Sequence, residues 1–268
     1  MDIQLQLKEK GIKPDFLKDQ FFLNDRNIVE KMISFADLNK NDTVLEIGAG
    51  TGILTREIAK KTKKVIAFEI DKEFTPFLNE MPGNVELHFE DAWEYVKLHG
   101  KFKKKRKYNK VVSNLPFSFC EKFLHNLTFL IYDKVILLVP LKFVKTIESN
   151  GIFSSFFVCD LKEIVDRKKF YPVPRTNSAI INLIKLPNPL KEKKLGTYLR
   201  QYIYQHEDQK VKNSLREGII NFNKIVYGKK VTKKEAKKII DSVGIPKDLL
   251  ENQPNENSIY FSVGSLFL

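Results

Sequence analysis

Two short stretches of this chain carry residue types that could do chemistry together. The first is Asn114-Leu115-Pro116-Phe117, which ends an apolar run, Lys110-Val111-Val112-Ser113. An Asn side-chain carbonyl and a backbone carbonyl held rigid by proline are two acceptors at a fixed separation, suited to the two hydrogens of a planar amine. An aromatic ring beside them can stack on the base that bears the amine. The second stretch runs from Val44 to Thr55 and reads VLEIGAGTGILT. Its apolar run breaks into Gly48, Gly50 and Gly52, and Ile53, Leu54, Ile58 and Ala59 then recur at helical spacing. That order predicts a buried strand, a glycine turn and a helix, with room at the turn for a ligand against the main chain.

Each stretch has a plainer reading: a strand-ending Asn-x-Pro turn, and a tight turn that holds nothing. Acids tilt the balance. Glu46 interrupts the strand two residues before the first glycine, where a buried carboxylate needs a partner. The next strand, Val65 to Phe68, runs into Glu69-Ile70-Asp71, where a nucleotide fold places its ribose-binding acid. The glycine spacing is G-x-G-x-G, not the G-x-G-x-x-G of nicotinamide sites. With Glu46 ahead of it, it resembles the first motif of S-adenosylmethionine-dependent methyltransferases. An adenine amine is a poor nucleophile because its lone pair is delocalised into the ring. Two acceptors on its hydrogens would turn that pair toward a methyl donor. A sulfonium departs neutral, so no tuned general base is needed at the outset.

These residues must be positioned by alternating elements. Strands are expected near 64 to 69, 85 to 89, 108 to 113 and 133 to 139, with helices near 72 to 80, 91 to 98 and 118 to 130. Such alternation predicts an α/β doubly wound, Rossmann-like sheet, mostly parallel, with its ligand at the carboxyl ends of the strands. Asp91 follows one such strand, where it could accept from an adenine amine or cap the next helix. Residues 1 to 19 read as a mobile arm broken at Pro14. Gln20-Phe21-Phe22-Leu23 precedes a cap signal, Asn24-Asp25, and a helix with Ile28, Val29, Met32, Ile33 and Ala36 on one face. Phe21 and Phe22 could staple that helix. Two antiparallel strands near 160 to 165 and 179 to 186 should flank a proline-rich loop. Beyond Pro187 and Pro189, helices are expected near 192 to 206, 208 to 222 and 232 to 243, with Tyr202, Ile203, Leu215, Ile219, Ile239 and Ile240 in their core. The predicted domains are 1–23, an arm and cofactor-covering segment; 24–186, the methyltransferase domain; and 187–268, a helical domain. The apolar tail, with Tyr260, Phe261, Leu266 and Phe267, should dock.

The 268 residues carry 46 Lys and Arg against 33 Asp and Glu, a formal charge of +13. That surplus favours a polyanionic partner, nucleic acid before an anionic membrane. Between residues 187 and 268 the count is 15 basic against 9 acidic. The run from Lys101 to Lys107 enters a strand at its amino end, opposite the ligand edge, and reads first as a solvated loop and second as a distal RNA contact. Cys120 and Cys159 lie far apart among apolar residues, and the four histidines lack ligand spacing, so no disulfide and no metal are expected. No apolar signal core opens the chain and no apolar run is long enough to span a bilayer, which predicts no membrane partner and a cytoplasmic location.

Gln20-Phe21-Phe22-Leu23, Glu46 to Gly52, Glu69, Asp91, Asn114 to Phe117 and Phe170-Tyr171-Pro172-Val173-Pro174 stand in the order seen in the ribosomal RNA adenine N6-dimethyltransferases. Over roughly residues 16 to 186 the chain resembles that family, which includes the small-subunit enzymes and the erythromycin-resistance enzymes. The resemblance implies S-adenosylmethionine as cofactor, with Gln20, Phe22, Leu23, Gly48, Gly50 and Gly52 around its methionine part. Glu46 belongs to the same motif, Glu69 would hold the ribose hydroxyls, and Asp91 the adenine amine. Asn114 with the Leu115 or Pro116 carbonyl would orient the target amine, and Phe117 and Phe170 would stack the base. The implied partner is ribosomal RNA or a ribosomal precursor particle, the implied state a monomer, and the implied product a dimethylated adenine. Phe117 stands where most of the family has Tyr, which keeps the stacking surface and loses the hydroxyl. Pro140 and Lys142 replace a usual Gln and Glu, and His206-Glu207-Asp208-Gln209-Lys210 replaces an Arg-rich stretch. Those departures motivate a second reading, a donor-binding ribosome-assembly factor with weak or absent catalysis.

Overall fold

The computed structural model describes residues 3–101, 107–127, 132–149, 153, 157–185, 195–206, 208–253 and 267. The chain divides into two compact units, Met1–Ser149 with Phe157–Lys185, and Asn150–Phe156 with Leu186–Leu268.

The first unit is built on a seven-stranded sheet. Its strands are β2 (Thr43–Ile47), β3 (Lys64–Phe68), β4 (Val85–His88), β5 (Lys110–Asn114), β6 (Lys134–Pro140), β7 (Phe157–Val165) and β9 (Ser178–Lys185), in the order β4-β3-β2-β5-β6-β9-β7. The first five run parallel, while β9 is antiparallel to both β6 and β7. The apolar runs that mark β2, β3, β5 and β6 are buried almost throughout, as strands covered on both faces must be. Chain order reverses between the neighbours β2 and β5, which opens a crevice beyond their carboxyl ends. Two further strands, β1 (Phe22–Leu23) and β8 (Phe170–Tyr171), pair with each other in a separate ribbon.

Around the sheet pack α1 (Ile3–Glu9), α2 (Arg26–Ala36), α3 (Ile53–Lys61), α4 (Thr75–Leu78), α5 (Ala92–Lys101), α6 (Phe117–Leu127) and α7 (Leu141–Ser149). Asp25 caps α2 through a 2.9 Å bond from the Asn27 amide, as Asn24-Asp25 signals. The amino terminus departs from expectation. Instead of a mobile arm it forms α1, whose Ile3 and Leu7 are buried with Ile12 in the same core as Val29 and Met32. Apolar residues at positions 3, 7 and 12 among polar neighbours are one helical face and the turn after it, a period too short to stand out from polar sequence. The α7 helix is a second element beyond those expected from the sequence. Pro140 ends β6, and Val144 and Ile147 of α7 are buried.

The second unit contains helices Leu195–Gln205, Val211–Tyr227, Lys233–Ser242 and Lys247–Glu251. Leu199, Ile203, Leu215, Ile219, Phe222, Ala236 and Ile240 form its interior, whereas Tyr202 and Ile239 are only part-buried. Thr232 and Glu235 close a reciprocal capping box at the start of Lys233–Ser242. Residues 102–106 of the basic run, Pro187, Pro189, Glu207, and Tyr260, Phe261 and Leu266 of the tail lie outside the described residues. Among the described residues no helix is long and apolar enough to cross a membrane.

Candidate functional site

The crevice between β2 and β5 holds a cavity of about 330 Å³. The sequence-predicted residues Gln20, Phe22, Leu23, Glu46, Gly48, Gly50, Glu69, Asp91, Asn114, Leu115, Pro116, Phe117 and Phe170 all line it. Gly52 does not. It stands one position further on, at the cap of α3, with its back to Leu78 and Met81.

The glycine turn is bent as its composition requires. Gly48, Gly50 and Gly52 have φ of 77°, 54° and 72°, a region side chains avoid. A Cβ on Gly48 would stand 3.3 Å from the Pro116 ring, and one on Gly50 would stand 3.3 Å from the Phe22 ring. The first contact joins the two chemical motifs directly, because β2 and β5 are neighbours and Ser113 Oγ donates to the Ile47 carbonyl at 2.6 Å. The Glu69 carboxylate accepts from the Gly50 amide at 2.7 Å and from the Asp71 amide at 2.9 Å. Glu69 therefore fixes the turn as well as facing the cavity.

Glu46 is fully buried at the end of β2, and its Oε2 has no hydrogen-bond partner among the described residues. Burial, with the nearby Glu69 charge, pushes its carboxyl up to about 8. The Glu69 carboxyl is raised for the same first reason, burial. In total Asp19, Glu46, Glu69, Asp71, Glu90 and Asp91 face the cavity, against one basic residue, Lys18. Six carboxyl groups, one of them Glu46 with its orphaned oxygen, make a site for a cationic ligand, which fits a sulfonium and an ammonium group. Asp91 is exposed and accepts from the Trp93 amide at 2.8 Å, so it caps α5 with one oxygen while it lines the cavity.

At the base side, the Asn114 amide nitrogen donates to the Phe21 carbonyl at 3.4 Å, which leaves the amide oxygen as the acceptor. The Pro116 carbonyl is taken by the Phe119 amide at 2.9 Å, as the first turn of α6 demands. Leu115 is buried, with its amide bonded to the Leu138 carbonyl at 3.1 Å. Phe170 sits in β8 opposite Leu23 and is only 4% exposed, in the core cluster as well as at the cavity wall.

Several residues around the cavity escaped sequence reasoning. Lys18 Nζ and Gln20 Nε2 each donate to Asp71 Oδ2 at 2.8 Å. Asp19, itself left-handed at φ 53°, accepts from the Ser118 amide at 2.7 Å and so caps α6 from a distance. The Gln20 side chain is thus spent on Asp71 and on the Asp15 amide, at 2.8 Å, which folds the segment over the cavity. Phe21 stacks on Phe117, with centroids 5.6 Å apart and planes at 23°. An apolar residue after the strand-end acid, Ile70, is a signal that could have been used; it is exposed beside the cavity. The departures Pro140 and Lys142 are not among the cavity-lining residues.

Known proteins support the same identification. The family model described as ribosomal RNA adenine dimethylase matches residues 15–245. A Methanococcus aeolicus protein named probable ribosomal RNA small subunit methyltransferase A is 33% identical over 213 residues, covering 73% of this chain and 76% of its own. A Methanosphaera stadtmanae protein of the same name is 32% identical over 253 residues, covering 88% and 89%. Among solved structures, a dimethyladenosine transferase from Plasmodium falciparum aligns with a TM-score of 0.56 at 20% identity, over 90% of this chain and 95% of that one. The 23S rRNA methyltransferase ErmE aligns at 0.52 and 20%, over 92% and 99%. At those identities the two structures show the fold, and the family model and the curated relatives show the rest. This chain, a Rossmann-like methyltransferase unit joined to a helical one, belongs to the ribosomal RNA adenine dimethylase family.

Proposed function

We propose that the chain dimethylates the N6 amine of adenine in small-subunit ribosomal RNA, with S-adenosylmethionine as donor. The observation that carries this reading is the meeting of Asn114-Leu115-Pro116-Phe117 with the glycine turn at one acid-lined cavity. The small subunit is preferred because the curated relatives above are named for it. Residues 24–186 carry the transfer, residues 1–23 close over the donor, and residues 187–268 guide the RNA.

S-adenosylmethionine supplies an electrophilic methyl group on a positively charged sulfur. The chain's own residues do the rest. The cavity carboxylates hold the cation, Glu46 and the glycine turn at its methionine end, Glu69 at the ribose, and Asp91 or its neighbours at the adenine. The Asn114 amide oxygen and the Leu115 carbonyl accept the two hydrogens of the target amine. Leu115 is the better of the two backbone choices, since the Pro116 carbonyl is occupied within α6. With both hydrogens held, the nitrogen lone pair projects from the base plane toward the donor side of the cavity. Phe117 stacks on the base and keeps that plane. After the first transfer the nitrogen loses its proton, and rotation of the methylated amine presents it again.

The test is methyl transfer to isolated small-subunit ribosomal RNA and to precursor particles, with methylated adenines mapped by mass spectrometry of RNA fragments. Dimethyladenine at a defined position is the expected product. Asn114→Ala should lower kcat at least about 100-fold, with donor affinity changed less than twofold. If the parent protein leaves both RNAs unmodified, or if the Asn114 variant works at the parental rate, the reading is wrong.

A further inference from the structure

Phe21 makes two contacts with the base side of the cavity, and both are with residues assigned to the target base. Its carbonyl receives the Asn114 amide hydrogen at 3.4 Å, and its ring lies over the Phe117 ring at 5.6 Å and 23°. Behind it, the Phe16 ring meets it edge-on at 5.9 Å and 61°, and Phe16 is 63% exposed. Phe21 and Phe117 are part-buried at the cavity wall, and Phe16 stands behind Phe21 on the surface. A base sandwiched between two aromatic faces needs their rings about 7 Å apart, two stacking gaps of about 3.4 Å each. Stacked on Phe117 with no gap for a third ring, Phe21 closes the part of that face it covers to a base. Phe170, by contrast, is 4% exposed and packed in β8, with little free face to offer.

We propose that Phe21 is a positioning residue for the target base: it covers the stacking face of Phe117 while RNA is absent, and shifts outward to become the opposite wall of the slot that receives the base. The movement needed is one further stacking gap, about 3.4 Å between ring planes. Part of the cost of unstacking the two rings is recovered when each stacks on the base instead. Flanking bonds keep the movement local. Gln20 remains tied to Asp71 and Phe22 remains paired with Tyr171, so the ring can swing while the segment over the donor stays shut. The inference rests on the adenine-methylation reading and extends it.

The experiment compares the full-length parent with Phe21→Ala, Phe21→Leu and Phe21→Tyr. Three quantities are measured: methyl transfer to small-subunit RNA, donor affinity by calorimetry, and emission from 2-aminopurine placed at the mapped target position. Loss of one stacking wall should lower kcat by about tenfold or more in the Ala and Leu variants, with donor affinity within twofold and the aminopurine emission change at least halved. Phe21→Tyr should restore both signals to within threefold of the parent. The proposal is overturned if Phe21→Ala transfers methyl at the parental rate, or if Leu rescues as well as Tyr, which would mark simple packing. It is also overturned if donor affinity falls together with kcat, which would place Phe21 in the donor scaffold. A parent that neither methylates nor alters the aminopurine signal would instead bring down the functional reading, and this inference with it.

Discussion

At the scale of single residues, the cavity concentrates carboxylates in a place where charge is costly, and Glu46 is the extreme case. Its carboxyl is raised from an ordinary 4.5 to about 8 by burial first and Glu69 second. The consequence for stability has a definite sign. Below pH 4.5 both folded and unfolded chains hold the proton. As pH rises the unfolded chain ionises first, so the folded state loses stability between about 4.5 and 8, and the loss levels off above that. The slope is at most about 1.4 kcal/mol per pH unit from this group. Thermal melts of the donor-free protein across pH 5 to 8 should therefore fall with pH, and Glu46→Gln should flatten the fall. An equal slope in the variant would show that Glu46 does not titrate in that window. Donor cation beside the orphaned Oε2 should favour the ionised form, so saturating donor should also flatten the parent's slope. Glu46 was legible in the sequence as an acid out of place in an apolar run. That its oxygen would lack a partner was not, because a partner can come from any strand or helix that packs against it.

Elements set how closely the two motifs meet. Gly48 abuts the Pro116 ring because β2 and β5 are adjacent, and its φ of 77° excludes a side chain on strain alone. Gly48→Ala should cost about 1–2 kcal/mol in chemical denaturation, and should weaken donor binding and kcat together by displacing Pro116. Unchanged kinetics with normal stability would mean that the two motifs are not mechanically linked. The amino-terminal helix makes a second claim. Leu7 is buried in the core of the first unit, so Leu7→Ala should cost about 2–4 kcal/mol in urea unfolding. A mobile arm would give almost no change. The helical period of Ile3 and Leu7 covers barely two turns, too few to distinguish from polar sequence without the core that buries it.

For the whole molecule, part of the excess positive charge gathers on the helical unit. Lys224, Lys229, Lys230, Lys233, Lys234, Lys237 and Lys238 are all exposed, at the end of helix Val211–Tyr227 and along Lys233–Ser242. The acid among them, Glu235, is engaged in the Thr232 capping box. Replacing Lys233, Lys234, Lys237 and Lys238 together by Gln should weaken RNA binding and reduce the slope of log affinity against log salt by up to about 3. Donor affinity should not move. An unaltered salt slope would show that the face is only solvated. A fall in donor affinity would point to a folding defect instead.

The alternation of strands and helices, the glycine turn, the amide-proline-aromatic motif and the helical second unit could all be read along the chain. Each of these is written in local spacing: apolar runs of strand length, glycines where the backbone turns, and apolar residues at helical period. How the site is assembled depends instead on packing. Packing stacks Phe21 on Phe117, turns Asp19 toward the Ser118 amide, ties Lys18 and Gln20 to Asp71, and leaves Glu46 Oε2 without a partner among the described residues. Phe21 and Asn114 are 93 positions apart, and whether they meet depends on strand order, register and rotamer. Those are properties of packing across the sheet, so no pattern along the chain records them.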